Sequence, residues 1–274
     1  MDVNKLNEDY FDKNKSTSNE ETIAILSIAY KYPEIYSLVN DSYQAEQINE
    51  IGKGLESNID LSIYNDVEYN SMQMKQIRLG LENNLDVSCY TEKKLDFNQM
   101  KVIRKALISK VDISPYLHLN LNHKQLNEIK IGLEDKIDVS IFAKKEYNER
   151  QMKEIRKGLN FKLDVGHYLS KDLSYLQMRE VRFSLSQGFD FKIDKEVFKS
   201  KIIRYGFMHG VDANVYNDDK YKYHHMDCIV KCLIHAYDVA PFLNEKLSDS
   251  ECYSLYEIMR KENSKDNLRL YNED

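Results

Sequence analysis

The sequence predicts an all-α fold: an α-solenoid of tandem repeats of about 26 residues, each a long helix plus a short helix or 3₁₀ turn, curved and single-domain. Three observations predict it. Asp60, Asp86, Asp112, Asp138, Asp164 and Asp190 stand 26 residues apart, and after a step of 22 to Asp212 the interval of 26 returns at Asp238. Strict periodicity of this length marks units that stack on their neighbours. Gly (9) and Pro (3) are scarce in 274 residues, which favours helices over a loop-rich β fold. Around each aspartate the apolar residues recur with helical spacing.

Residues 1–17 read as a polar N-terminal leader and 18–263 as the repeat array. Ser18 and Glu21 form a capping box for a first helix over about 19–31. From there positions are counted relative to the marker aspartate. At −16 stand the N-cap residues Asn70, Asp96, Asn122, Asn148 and Ser174, and three residues later Gln73, Gln99, Gln125, Gln151 and Gln177 complete capping boxes. Positions −17 and −12, such as Tyr69 with Met74 or Tyr147 with Met152, pair as hydrophobic staples. Helix A then spans −15 to −3, with −12, −9 and −5 as its buried stripe. Position −6 is small (Gly54, Gly80, Ala106, Gly132, Gly158, Ser184), a sign of close helix–helix approach. Position −2 holds Asn58, Asn84, Gly188 and Gly210, which suit a left-handed C-cap, and Lys110, Lys136 and Lys162, which suit it less well.

The second element opens at the aspartate. Ser62, Ser88, Ser114 and Ser140 at +2 read as N-caps, and Pro115 and Pro241 at +3 as first-turn prolines. The marker carboxylate is expected to accept amides there, as in an Asx turn. Aromatic residues at +4 (Tyr64, Tyr90, Tyr116, Phe142, Tyr168, Tyr216, Phe242) are expected to plug the space between units. The short step near 190–212 predicts a kink at 190–196, with Asp194 capping the next helix directly. Ser248 and Glu251 open a last helix near 249–262, and 264–274 form a polar tail.

The formal net charge of −6 argues against bulk nucleic-acid binding but leaves room for a local basic stripe. Cys89, Cys228, Cys232 and Cys252 lack the spacing of a disulfide framework, and no apolar run reaches the roughly 18–20 residues of a membrane span. The N-terminus lacks the layout of a signal peptide, so a cytoplasmic setting, the cytosol of a bacterial host, is expected.

Two constellations could carry chemistry. Positions −11, −8, −7 and −4 read as one helix face away from the core and carry Lys75, Arg78, Lys101, Arg104, Lys105, Lys130, Lys153, Arg156, Lys157, Arg179 and Arg182, joined by Lys53. These twelve cations against Glu56, Glu82 and Glu134 give the stripe a net +9. Such a ladder either engages phosphates or an acidic protein, or is a solvated face with local pairs such as Arg78–Glu82 and arginines bridging to a neighbouring aspartate. The second is His225, Cys228, Cys232 and His235, a weak zinc candidate: spaced i, i+3, i+7, i+10, the four share one face, and one straight helix cannot wrap them around a tetrahedral ion. There, Cys232 fills the small −6 position and His225 replaces the capping-box glutamine. No nucleotide-binding glycine loop, nucleophile elbow or HExxH motif is present, and no cofactor is expected.

The units QMKQIRLGLENNLDVSCY, QMKEIRKGLNFKLDVGHY and QMREVRFSLSQGFDF resemble a tandem repeat built on Gln-Met-x-Glu-Ile-Arg-x-Gly-Leu-Glu-x-Gly-Leu-Asp-Val-Ser-x-Tyr. Such repeats occur in proteins of phages, plasmids and other mobile elements of Gram-positive anaerobes. The similarity is clear over about 44–190 and faint to 245. This chain departs from it where Ala106, Ser184 and several lysines replace glycine. The resemblance brings no catalytic residues. It implies a mobile-element protein acting on host machinery or defence.

The functional expectation is therefore a non-enzymatic binding protein that captures a protein or protein–nucleic-acid complex, with inhibition of a host defence nuclease or CRISPR effector as one concrete form. The alternatives are direct nucleic-acid binding along the ladder and self-association in a structural role. No membrane partner is expected.

Overall fold

The computed structural model describes residues 3–14, 16–186, 188, 197–244 and 246–270. Among the described residues there is no strand, and the helices pack in chain order. The chain forms two compact units, Met1–Lys145 and Glu146–Asp274.

The first unit contains α1 (Val3–Lys13), α2 (Asn19–Ala29), the short α3 (Ile35–Leu38), α4 (Ala45–Glu56), α5 (Ser71–Glu82), α6 (Phe97–Ile108) and α7 (His123–Glu134). From α2 to α4 and on to α7, each long helix packs on the next. The second unit contains α8 (Glu149–Asn160), α9 (Tyr175–Ser186), α10 (Val197–Met208), α11 (Tyr223–Ile234) and α12 (Asp249–Leu270), packed in the same sequential way. This is the expected solenoid-like repeat architecture, with helix A of each frame lying where the caps and the stripe put it.

Each helix starts for the predicted reason. The Asn70 side chain accepts the Gln73 amide at 3.0 Å and Gln73 Oε1 accepts the Asn70 amide at 3.0 Å. Asp96, Asn122 and Asn148 build the same box with Gln99, Gln125 and Gln151, and Ser18 builds it with Glu21. Each helix also stops in the same way. In the first full unit the Asn58 amide donates to Leu55 O (3.1 Å) and the Ile59 amide to Gly54 O (3.2 Å), a Schellman closure that the later units repeat. It requires a left-handed residue at −2, and φ there is positive in every described unit: 50° at Asn58, 57° at Lys110, 58° at Lys136, 57° at Lys162, 57° at Ala236 and 74° at Gly210. Lysine and alanine tolerate this conformation worse than glycine. Lys136→Gly is therefore expected to stabilise the chain by about 1 kcal/mol, the relief of strain exceeding the extra chain entropy of an unfolded glycine. Urea unfolding checks this, and a fall in the midpoint would show that the Lys136 stem packs better than its backbone suggests.

The second element is a 3₁₀ turn, as at Leu61–Ile63, Val139–Ile141 and Val165–His167. The marker aspartates cap it. Oδ1 of Asp60, Asp86, Asp112, Asp138, Asp164, Asp212 and Asp238 accepts the amide two residues on, at 2.9–3.1 Å. The serines at +2 are thus not the caps expected of them: they donate, and the Ser62 and Ser140 hydroxyls add a second bond to the same oxygen. The carboxylate wins because it accepts more strongly and stands one residue before the turn.

Three stretches differ from expectation or escape it. The polar leader contains α1, whose Tyr10 is buried against Tyr36 with ring centroids 5.5 Å apart. The last helix runs to Leu270, eight residues past its predicted end. The expected kink at 190–196, Asp190 and the Asp194 cap lie outside the described residues.

Candidate functional site

An α-helix turns about 100° per residue, so the core stripe leaves two flanks and one outer face. Positions −8 and −10 fall on opposite flanks, and stacking brings −8 of one helix against −10 of the helix before it. The basic ladder divides at this point. Arg78 Nε donates to Glu50 Oε2 at 2.8 Å and its Nη1 to Glu82 Oε1 at 2.6 Å, with the guanidinium buried. Arg182 Nε reaches Glu154 Oε2 at 2.8 Å, and Arg204 Nε reaches Glu180 Oε2 at 2.8 Å. Arg104 Nε donates to Gln76 Oε1 at 3.2 Å, and Arg156 is also buried. The arginines at −8 do not share the outer face as the sequence reading had them. They lock neighbouring helices together, through glutamates or a glutamine at −10 rather than through aspartates. Burial disfavours the charged form of Arg78, and the hydrogen bonds it donates to Glu50 and Glu82 outweigh that, so its pKa rises. Where −10 offers no acceptor the lock changes: opposite Val102, position −8 is Lys130, which turns to Glu134 at 2.7 Å in its own helix. At Ile202 and Val230 both positions are apolar and both belong to one core cluster.

The lysines are arranged differently. Lys101, Lys105 and Lys153 are exposed and Lys75 is half-buried. Lys53 approaches Glu50 at 2.6 Å, Lys157 approaches Glu154 at 4.0 Å and Arg179 approaches Glu180 at 3.6 Å. In each pair the cation is partly exposed and the carboxylate is buried. What remains of the ladder is a row of lysines at −11 and −7 on the outer face.

Two internal locks explain residues that looked functional or merely small. The capping-box glutamines bridge forward: Gln47 Nε2 donates to Tyr69 O at 2.6 Å, Gln73 Nε2 to Leu95 O at 2.8 Å and Gln151 Nε2 to Leu173 O at 2.7 Å. A glutamate in the box could accept the cap amide but has no N–H for the next unit. The second lock joins −6 to +4. The Tyr64, Tyr90, Tyr168 and Tyr216 side chains are fully buried, and their hydroxyls donate to main-chain carbonyls, as Tyr64 does to Glu50 O at 3.1 Å. A Cβ at Gly54, Gly80, Gly158 or Gly206 would lie 1.8–2.1 Å from the hydroxyl of its own unit's tyrosine. The small residue therefore makes room for that hydroxyl rather than for a neighbouring helix. Where −6 is larger the tyrosine changes: Ala106 goes with a half-buried Tyr116, and Cys232 with Phe242.

The His/Cys constellation dissolves into the same scheme. His225 Nε2 donates to the Phe242 carbonyl of its own unit, a shorter reach than the forward bridge of the glutamines it replaces. Cys228 and Cys232 are buried, which pushes their thiols up to about 12 and about 11, while His235 is exposed and stacks on Tyr237 at 5.5 Å. Among the described residues no group of His, Cys, Asp and Glu is placed to hold a metal ion.

These titrations give stability a two-sided pH dependence. The Ser hydroxyl and amide bonds hold Asp60, Asp86 and Asp112 below the usual carboxylate range. A depressed folded pKa gives stability that is present above the unfolded value of about 3.9 and lost as pH falls through the folded one. Cys228 and the buried tyrosines are raised by burial, so their contribution is complete below an ordinary thiol pKa of 9.0 and lost as pH climbs toward 12. Thermal unfolding should therefore show a plateau with Tm falling below about pH 4 and above about pH 9. A Tm that keeps rising above pH 9 would contradict the burial of these groups.

Comparison with protein-family models, with curated proteins and with solved structures found no match.

Proposed function

We propose that the chain is a non-enzymatic binding module that captures a macromolecular partner, a protein or a protein–nucleic-acid complex, on the outer face of its helix row. The observation that carries this reading is the composition of that face. The arginine and glutamine locks occupy the flanks and the stripe fills the core, so the outer face carries only a few structural contacts, such as those of Glu82 with Arg78 and Ser57. It nevertheless bears large apolar groups: Ile108 is 49% exposed, Phe161 63% and Met208 54%, set beside the lysines at −11 and −7. Exposed apolar groups of this size among basic ones mark an interaction surface more often than a solvated one. The resemblance to mobile-element repeats supplies one concrete partner class, a host defence nuclease or CRISPR effector.

The test uses Lys101→Glu, Lys105→Glu, Lys153→Glu and Lys157→Glu together, leaving the locking arginines intact. With helicity unchanged by circular dichroism, partner capture from a lysate of the native host should fall at least about tenfold, since reversed charge on a binding rim acts on association. Capture that survives the four reversals removes this face from consideration.

A further inference from the structure

We propose that the outer face of the Glu146–Asp274 unit is a binding surface for single-stranded nucleic acid. The proposal rests on the reading of the outer face as the binding face and names its occupant.

The first observation is an asymmetry of charge. On the outer rows −11, −7, −4 and −3, the Met1–Lys145 unit carries Lys53, Lys75, Lys101 and Lys105 against Glu56, Glu82, Glu134 and Asp135, which sum to zero. The same rows of the Glu146–Asp274 unit carry Lys153, Lys157, Arg179, Lys201 and Lys231 against Asp227 alone, a net of +4. The acidity of the chain lies mostly elsewhere: residues 1–145 hold 18 basic and 23 acidic residues, residues 146–274 hold 21 and 22. In the first unit Glu82 takes Arg78 and Glu134 takes Lys130. In the second unit row −4 is Asn160, Ser186, Met208 and Ile234, without a carboxylate, and the ion pairs are made from other rows: Lys157 with Glu154 at 4.0 Å, Arg179 with Glu180 at 3.6 Å and Lys231 with Asp227 at 2.6 Å.

The second observation is a set of rings among these cations. Phe161 closes α8, Phe183 lies on α9 and Tyr205 on α10, one on each of three successively packed helices. They are 63%, 40% and 42% exposed. Phe183 is held from below: the Arg182 guanidinium lies 4.5 Å from its ring centroid and that of Arg204 lies 5.6 Å away. Both arginines are themselves fixed by Glu154 and Glu180, so the ring is a supported platform. His209 packs on Tyr205 with centroids 4.4 Å apart.

Exposed aromatic faces set at intervals in a cationic strip fit a strand whose unpaired bases stack while its phosphates meet lysine and arginine. A duplex offers no free base faces. A partner of protein alone fits this unit less well, because lysine is depleted at the core of protein interfaces and here Lys153, Lys157 and Lys201 share the outer rows with the rings.

Fluorescence anisotropy of the full chain tests this with labelled 20-nucleotide dT and U oligomers, the matching duplex and poly-glutamate as probes. Single strands should bind with a slope of log K against log salt of about −3, roughly four phosphates at about 0.7 each. The duplex should bind at least tenfold more weakly. Phe183→Ala with Tyr205→Ala should weaken binding by about 5- to 150-fold per ring. Phe183→Leu, which keeps most of the packing volume, should weaken it too. The proposal is overturned by absence of oligomer binding at low salt, by equal affinity for duplex, or by indifference to the ring substitutions. It is also overturned if poly-glutamate binds as tightly and loses affinity with the same rings, which assigns the face to an acidic protein. If oligomer binding fails while the lysine reversals still abolish partner capture, only the occupant is wrong; if both fail, the binding face itself is wrong.

Discussion

Arg78→Ala is expected to destabilise the chain by about 3–5 kcal/mol, because it leaves Glu50 buried and charged with its main partner gone. The Arg78 and Glu50 side chains are 9% and 7% exposed and meet at 2.8 Å, so water cannot replace the lost guanidinium. Exchanging both partners for apolar residues, Glu50→Leu with Arg78→Met, should cost far less than Arg78→Ala alone. The chain already contains that solution at Ile202 and Val230. Chemical denaturation of the three variants decides the matter. Equal costs for the single and double substitutions would mean that the side-chain stem, not the charge pair, sustains the contact.

Gly80→Ala should destabilise by about 1–3 kcal/mol although alanine is the better helix former by about 1 kcal/mol. The added Cβ would sit 1.9 Å from the Tyr90 hydroxyl and 2.7 Å from Val87 Cγ1, so a fully buried ring must move. Tyr90→Phe alone should cost about 1 kcal/mol, the net worth of the hydrogen bond to Gln76 O. Combined, the two should cost less than the sum of the single effects, because the phenylalanine vacates the space that the methyl needs. The contact with Val87 should relax, since Ala106 and Cys232 coexist with Ile113 and Val239 at the corresponding position. An additive double-mutant cycle would show that the glycine serves something other than the tyrosine.

Much of this fold was legible in the sequence because its instructions are local. The capping boxes, the C-terminal left-handed residue and the core stripe are all written within one helix and its ends. The aspartate clock gave the unit length. The Arg–Glu lock was missed because its partners are 28 residues apart, a unit plus two, and no periodicity within a single helix exposes that relation. Following Glu50–Arg78, Glu154–Arg182 and the apolar Ile202–Val230 along the chain would have revealed it. The forward bond of the glutamines was hidden by their evident use in capping, which accounts for only one end of the amide. Helix α1 was hidden by its composition: among its described side chains Tyr10 is the one that is buried, and its few apolar residues make a stripe too thin to stand out. For the site, charge identified the right elements and the wrong side chains. Lysines and arginines look alike in a tally, and only the stacking separated the arginines that hold the helices from the lysines that face outward.

The forward-reaching glutamine and the backward-reaching arginine have a consequence for how such a chain changes length. Most units present one amide ahead and one guanidinium behind, and Arg78, Arg104 and Arg182 each find an acceptor at the same offset in the unit before. Excising residues 71–96 would bring Arg104 to the register of Arg78 and set it against Glu50, with the loop at Leu121 moved into the register of Leu95 for its own glutamine. Duplication of a whole unit preserves the couplings in the same way, and the arginine lock also tolerates the 22-residue step, across which Arg204 still reaches Glu180 at 2.8 Å. The array thus behaves as a text with a fixed word length, in which copy number is free to drift while spelling within each word is held by its neighbours.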